Sequence, residues 1–168
     1  MAQRFRGEWT HKVDAKGRVS VPAPFRRVLE SVQGWQSGDP VQLVVVLDQD
    51  ERPCLNVYTT DEIDQIDDLI ASLPRFARER EALSTRLASG AEHVTLDENG
   101  RFGLTKEMRA KAGIEGQAVF AGLIDSFQIW SPEGYEEKKA RMADWIKEER
   151  DPNDLFELLY AAQQKYLG

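Results

Sequence analysis

The chain has 168 residues with a hydrophobic content of 41%, and its proline and glycine contents are close to those of average globular proteins. Its formal net charge is −7, and the single cysteine excludes an internal disulfide framework. No segment approaches the roughly 18 apolar residues of a membrane span, and the first residues lack the apolar run of a signal peptide. We therefore expect a globular cytoplasmic protein without a membrane partner.

The first third of the chain predicts a strand, a tight turn, a strand, a short helix and two further strands. Apolar and polar residues alternate over 9–13 and 19–21, the period of two that is typical of strands. Between these segments Gly17 is expected to adopt the positive φ of a two-residue hairpin turn. Proline suits the first turn of a helix over 22–30, and the apolar run 41–47 predicts a strand buried on both faces.

The same pattern returns in the second half of the chain, at a shift of 83 residues. Asn99 followed by glycine again favours a two-residue hairpin turn, and Thr105 is expected to cap a helix that ends at Gly113. We therefore predict an α+β fold, mainly β with peripheral helices, in which a tandem duplication generates pseudo-two-fold symmetry. The residues Asp14, Gly17, Arg18 and Arg26 recur as Asp97, Gly100, Arg101 and Arg109.

Apolar residues at helical spacing predict helices after each copy of the repeat. Their apolar faces are expected to serve packing or subunit contacts, which is the usual role of an amphipathic helix. The predicted helices cover residues 61–73, 75–88, 132–150 and 154–166. The predicted divisions are a first repeat at 8–60, linking helices at 61–90, a second repeat at 91–134 and a C-terminal helical extension at 135–168.

Each repeat places an arginine at the end of its turn, one residue after the glycine. A guanidinium group matches the N7 and O6 acceptors of guanine, and a two-stranded β-ribbon fits the major groove. Both arginines are therefore predicted to bind guanine, with Arg18 as the first candidate and Arg101 as the second. Asp14 and Asp97 are expected to accept backbone N–H groups or to pair with the arginine. Alternatively, each aspartate and arginine only stabilise their own loop.

Basic residues are concentrated at the start of the chain. The first 27 residues carry seven basic and two acidic side chains, a local net charge of +5 that leaves −12 for the remainder. Such a basic region can contact the phosphates of DNA although the whole protein is acidic. Arg26 and Arg109, on the short helices, are expected to form structural salt bridges, with a phosphate contact as the alternative. The side chains expected to contact phosphate are Arg6, Lys12 and Lys16.

These motifs resemble those of the MraZ family of bacterial regulators, which are built from two copies of the SpoVT-AbrB type of DNA-binding fold. The resemblance covers most of the chain and is most specific at residues 5–7, 14–22, 97–101 and 127–130. It implies a tandem duplicated SpoVT-AbrB-like β-barrel.

The resemblance also implies a transcriptional regulator, expected to be a repressor, of the division and cell-wall gene cluster. It would bind guanine-rich direct repeats upstream of its own gene as a nucleoid-associated ring of identical subunits. The loops of this homo-oligomer would present Asp14, Arg18, Asp97 and Arg101 to double-stranded DNA, with Gly17 and Gly100 as turn glycines. No enzymatic activity, cofactor, metal or small-molecule substrate is expected.

Two other functions compete with this interpretation. Residues 14–16 with Glu8 resemble the acidic and lysine cluster of metal-dependent nucleases, although Asn99 replaces the lysine in the second copy. The other is an antitoxin-like interaction module whose helical tail binds a partner. Such antitoxins usually carry one copy of the fold, so the duplication favours the regulator.

Overall fold

The computed structural model describes residues 3–168, which form two compact units divided after Pro132. All eight strands of the described chain lie in the larger unit. Its first half contains β1 (Glu8–Lys12), β2 (Arg18–Ser20), α1 (Ala23–Glu30), β3 (Gln42–Val46) and β4 (Cys54–Tyr58). Next come α2 (Thr60–Ala71), α3 (Arg78–Leu83) and a π-helical segment (Ser84–Ser89). The second half contains β5 (Ala91–Thr95), β6 (Arg101–Gly103), α4 (Lys106–Ala112), β7 (Gln117–Gly122) and β8 (Phe127–Trp130). Two helices complete the described chain, α5 (Pro132–Glu149) and α6 (Leu155–Leu167).

The strands of the two repeats are interleaved in one antiparallel sheet and one ribbon. The sheet has the order β1-β7-β8-β4-β3-β5, and β2 pairs with β6 in a separate two-stranded ribbon. Equivalent strands of the two repeats stand at opposite ends of this order, β1 with β5, β7 with β3 and β8 with β4. This arrangement is the signature of a pseudo-two-fold axis. The axis passes between Val19 and Phe102 in the ribbon and between Asn56 and Gln128 in the sheet, because each of these pairs joins equivalent residues. The α+β class and the duplication are confirmed.

The predicted two-residue hairpins are wrong. β1 and β2 do not pair with each other, since β1 pairs with β7 and β2 with β6. In each turn only the glycine has a positive φ, 81° at Gly17 and 72° at Gly100, whereas a two-residue type I′ turn needs two such residues. The physical reason lies in the pairing, because an isolated two-stranded hairpin is at best marginally stable and each strand gains a partner in the wider sheet.

The helix boundaries follow from local capping. The Thr105 hydroxyl accepts a hydrogen bond from Met108 N at 3.2 Å, and Gly113 ends α4 in the left-handed conformation with φ 63°. Both predictions are confirmed. Thr59 caps α2 in the same way, at 3.0 Å from Glu62 N, so that helix starts slightly earlier than predicted. The other predicted helices correspond to α5, to α6, and to α3 with the π-helical segment.

Both repeats contribute to the main hydrophobic core of the larger unit, and a smaller cluster forms around Val44, Val46 and Ile63. Phe25 from α1 packs against Phe127 from β8 with ring centroids 4.8 Å apart, and Phe5 contacts both rings. All three side chains are buried, and burial of each contributes on the order of 1.5–3 kcal/mol. The last four residues of β3 are also buried, which confirms the prediction for this strand. The main core is therefore shared by the two repeats.

The smaller unit contains most of α5 and all of α6. Asp154 caps α6 by accepting a hydrogen bond from Glu157 N at 3.2 Å. No helix within residues 3–168 is both long and apolar enough to cross a membrane. The exposed apolar side chains of α6 are Leu155, Phe156, Leu159, Tyr160, Tyr166 and Leu167.

Candidate nucleic-acid interface

Residues 14–18, here called loop 1, are organised by one carboxylate. Asp14 Oδ1 accepts hydrogen bonds from the backbone N–H groups of Lys16 and Arg18, both at 2.9 Å. Asp14 Oδ2 accepts a hydrogen bond from Arg18 Nε at 2.8 Å. The Gly17 N–H donates to the Asp14 carbonyl at 2.9 Å and closes the turn. The same carboxylate therefore fixes both the backbone of the loop and the rotamer of its arginine.

Residues 97–101, here called loop 2, repeat this arrangement atom for atom. Asp97 Oδ1 accepts hydrogen bonds from Asn99 N at 2.8 Å and from Arg101 N at 3.0 Å. Asp97 Oδ2 accepts one from Arg101 Nε at 3.1 Å, and Gly100 N donates to the Asp97 carbonyl at 3.0 Å. The predicted roles of the aspartates within the loops are confirmed in both repeats.

Both loop aspartates have a pKa below the ordinary value of a carboxyl group. For Asp14 the largest cause is the hydrogen bond from the Arg18 backbone N–H, and for Asp97 it is the one from the Arg101 backbone N–H. The arginine side chains lower the pKa further through their own hydrogen bonds and charge. Both carboxylates are therefore ionised at neutral pH and hold their arginines by charge-assisted bonds.

The two arginines retain donors that the protein does not use. The Arg18 side chain is 40% exposed and the Arg101 side chain is 32% exposed. Each is held through Nε, and neither of its Nη groups donates a hydrogen bond to residues 3–168. The two Nη groups are the planar pair of donors that binds carboxylate, phosphate or a base edge in a bidentate manner.

The ribbon places both arginines on one face. Arg18 pairs with Gly103 and Ser20 pairs with Arg101, and directly paired residues of neighbouring strands project their side chains to the same side. The opposite face carries Val19 and Phe102, which are buried in the core. The arginines therefore flank the pseudo-two-fold axis on the outer face, offset by two residues or about 7 Å along the strands.

Comparison with known proteins identifies the family. The model of the family described as "MraZ protein, putative antitoxin-like" matches residues 4–86 and 87–152, one segment for each repeat. The chain belongs to the MraZ family. The MraZ segments meet at residue 86, inside the π-helical segment Ser84–Ser89 that links the two halves of the sheet.

Curated relatives carry the name "Transcriptional regulator MraZ". The relative from Ruegeria pomeroyi is 43% identical over 150 residues, which cover 88% of this chain and 90% of the relative. The relative from Ruegeria sp. is 44% identical, with 89% and 90% covered, and that from Azorhizobium caulinodans is 33% identical, with 88% and 89% covered. The similarity to MraZ proteins thus extends over nearly the whole length of both chains.

The remaining predicted site residues lie at two ends of β1. Lys12 is the last residue of β1 and Lys16 lies in loop 1, and both are exposed. Arg6 is also exposed but precedes β1, and the five residues of that strand span about 17 Å. The structure therefore brings Lys12 and Lys16 to loop 1 of this MraZ chain and does not bring Arg6 there.

The salt bridges predicted for the short helices are not formed. Arg26 Nη1 donates to the Val21 carbonyl at 2.9 Å, and neither Arg26 nor Arg109 pairs with a carboxylate within residues 3–168. Instead, the Arg26 side chain lies against Gly100 and the Arg109 side chain lies near Gly17. Sequence reasoning missed these contacts, although the recurrence of both arginines and both glycines was visible.

Arg109 also lines a groove of about 850 Å³ that opens beside loop 1. The groove lies between α4 and the start of the loop, and Lys106 contributes a second cation to it. Asp14 is at its border, with its carboxylate oxygens engaged by the loop N–H groups and Arg18. No group of three His, Cys, Asp or Glu side chains that could hold a metal ion occurs in the described part of the chain.

Proposed function

We propose that the protein is a DNA-binding transcriptional regulator whose loop arginines bind guanine in the major groove. The observation that carries the proposal is the outer face of the β2–β6 ribbon, where Arg18 and Arg101 are each held through Nε by an aspartate. Each arginine thus offers its two Nη donors from a fixed support, and guanine presents two acceptors at matching spacing. A two-stranded ribbon fits the major groove, and the names of the relatives support regulation of transcription.

The proposed operator is a set of guanine-rich direct repeats upstream of the protein's own gene, in the division and cell-wall gene cluster. The proposed effect is repression, and the proposed assembly is a ring of identical subunits. Linked subunits suit repeated DNA boxes, because every contact after the first forms at a high effective concentration. Such linkage also offsets the repulsion between DNA and the net charge of −12 that the chain carries outside its first 27 residues.

The proposal is tested by a mobility-shift titration on operator DNA and on a scrambled fragment. A bidentate contact to guanine contributes about 1–3 kcal/mol of discrimination, so Arg18→Ala should weaken operator binding by roughly 5- to 150-fold per contact. Arg101→Ala should also weaken it, by a smaller factor. The mass of the assembly, measured by light scattering, should not change.

Arg27→Ala is the matched control, because Arg27 is an exposed arginine at the end of α1 outside both loops. It should leave the ratio of operator to scrambled affinity unchanged. If Arg18→Ala retained the wild-type ratio, the loop arginine would be structural and not a reader of bases. If the wild-type protein itself showed no preference for operator DNA, an antitoxin-like interaction module would be the better function.

A further inference from the structure

Arg26 and Arg109 occupy equivalent positions of the two repeats, on α1 and α4. A methyl group built on Gly100 would lie 2.5 Å from Arg26 Nη1 and 2.6 Å from Arg26 Cδ. A methyl group built on Gly17 would lie 3.7 Å from Arg109 Cζ and 3.8 Å from Arg109 Nε. Each arginine therefore lies beside the turn glycine of a loop, and in both cases the loop belongs to the other repeat.

This crossed arrangement is a consequence of the ribbon. Because β2 and β6 run antiparallel, the end of each strand lies beside the loop that precedes its partner. Leu104 N donates to the Gly17 carbonyl at 2.8 Å, and Val21 N donates to the Gly100 carbonyl at 2.9 Å. The short helix that follows each strand is thereby brought next to the loop of the opposite repeat.

Arg26 is anchored at this position by its own hydrogen bond. Its Nη1 donates to the carbonyl of Val21, the residue whose N–H donates to Gly100. Arg26, Val21 and Gly100 thus form a continuous chain of contacts from α1 to loop 2. The glycine is needed twice, for its φ of 72° and for the close approach of the guanidinium group.

Arg109 lies farther from its glycine and is more exposed. Its side chain donates no hydrogen bond within residues 3–168, and it borders the groove beside loop 1. Only a methyl group added to Gly17 would come within ordinary van der Waals distance of the Arg109 side chain. We therefore expect Arg109 to hold loop 1 less tightly than Arg26 holds loop 2.

We propose that Arg26 and Arg109 are positioning residues that act across the repeats, so that Arg26 orients loop 2 and Arg109 orients loop 1. The inference rests on the proposed DNA-binding function. It predicts that a change on α1 alters the DNA contact of the second repeat, and that a change on α4 alters the contact of the first.

The first experiment locates the affected contact on DNA. Methylation protection of guanine N7 on operator DNA should show one set of guanines that depends on Arg18 and another that depends on Arg101. Arg26→Ala should lose protection at the Arg101 set and retain it at the Arg18 set, and Arg109→Ala should do the reverse. Arg27→Ala should retain both sets. Loss at the Arg18 set alone, or equal loss at both sets, in Arg26→Ala would overturn the inference.

The second experiment needs no DNA. Amide exchange measured by NMR should be faster in Arg26→Ala at residues 99–101 and unchanged at residues 16–18, with the opposite pattern in Arg109→Ala. Arg109 is exposed, so this variant should fold even if Arg26→Ala does not. Faster exchange in the loop of the same repeat would overturn the inference. If the crossed pattern were found in a protein that does not bind operator DNA, the positioning role would stand and the DNA-binding proposal would fail.

Discussion

Loop 1 and loop 2 have the same internal geometry and different surroundings. In both loops an aspartate accepts two backbone N–H groups and holds the arginine through Nε. Around this shared frame the charges differ, because Lys16 of loop 1 is replaced by Asn99 in loop 2 and Glu98 adds an acidic group there. The residues that recur fix the conformation of the loop, and the residues that differ decide how strongly each loop attracts phosphate.

Loop 1 has one further support that loop 2 lacks. His11 Nδ1 donates a hydrogen bond to the Ser20 carbonyl at 2.6 Å, which ties β1 to β2 across the base of the loop. The equivalent residue of the second repeat is Val94, whose side chain has no donor. Outside the hydrogen bonds that both loops share, loop 1 therefore has His11 in addition to the more distant Arg109, whereas loop 2 has Arg26.

The largest expected effect comes from replacing the turn glycines. Alanine at a left-handed position costs about 1–2 kcal/mol, so Gly17→Ala and Gly100→Ala should each lower the Tm by roughly 2–8 °C for a protein of this size. The added methyl group of Gly17→Ala would also lie 3.2 Å from the Leu104 carbonyl oxygen, which is backbone and cannot easily move. Thermal unfolding followed by circular dichroism measures both losses.

The same glycine variants can show which of the two loops lies against Arg26. In Gly100→Ala the new methyl group collides with the Arg26 side chain, so Arg26→Ala should relieve part of the loss. A double-mutant cycle should give a coupling of about 0.5–3 kcal/mol for Gly100 with Arg26, whereas Gly17 with Arg26 should be additive. Additive losses for both pairs would show that Arg26 does not support loop 2.

The secondary-structure elements and the hydrogen bonds within each loop could be predicted from the sequence. Alternation marked β1, the apolar run marked β3, and the spacing of Asp14 and Arg18 indicated the bonds that the carboxylate makes. These features depend on residues that are close in the chain, for which residue type and spacing determine geometry.

The exchange of strands between the repeats could not be predicted in the same way. A period of two shows which face of a strand is buried and does not show which strand lies beside it. The hairpin predictions were wrong for this reason, and the contact of Arg26 with Gly100 was missed with them. That contact joins residues far apart in sequence and exists only because β2 pairs with β6.

An intermediate effect is expected from exchanging the charged residues of the loops. Lys16→Asn gives loop 1 the residue of loop 2, and Asn99→Lys does the reverse. Each lost phosphate contact should reduce the slope of log K against log salt by about 0.9 for every bound subunit. The negative slope should therefore become shallower in Lys16→Asn, and it should become steeper in Asn99→Lys if loop 2 reaches phosphate. A salt series of mobility-shift titrations measures the slopes, and an unchanged slope for Lys16→Asn would contradict the proposed phosphate contact.

The smallest effect is expected from pH, and it should be the same in both loops. The hydrogen bonds that lower the pKa of Asp14 and Asp97 stabilise the folded loops fully above the ordinary carboxyl value, about 3.9. Their contribution is lost as the pH falls through the lower pKa of the folded state, so neither aspartate should cause a change between pH 5 and 8.

NMR titration of the Gly17 and Gly100 amides can detect this behaviour. Both signals should shift with similar midpoints that lie below the ordinary carboxyl value, because the two carboxylates accept the same set of donors. Asp97→Asn should remove the transition of Gly100 and retain that of Gly17. A midpoint above pH 5 for either glycine would mean that its carboxylate is not held as described. Two separate midpoints would instead show that the surroundings of the loops, and not only their shared frame, set the strength of these bonds.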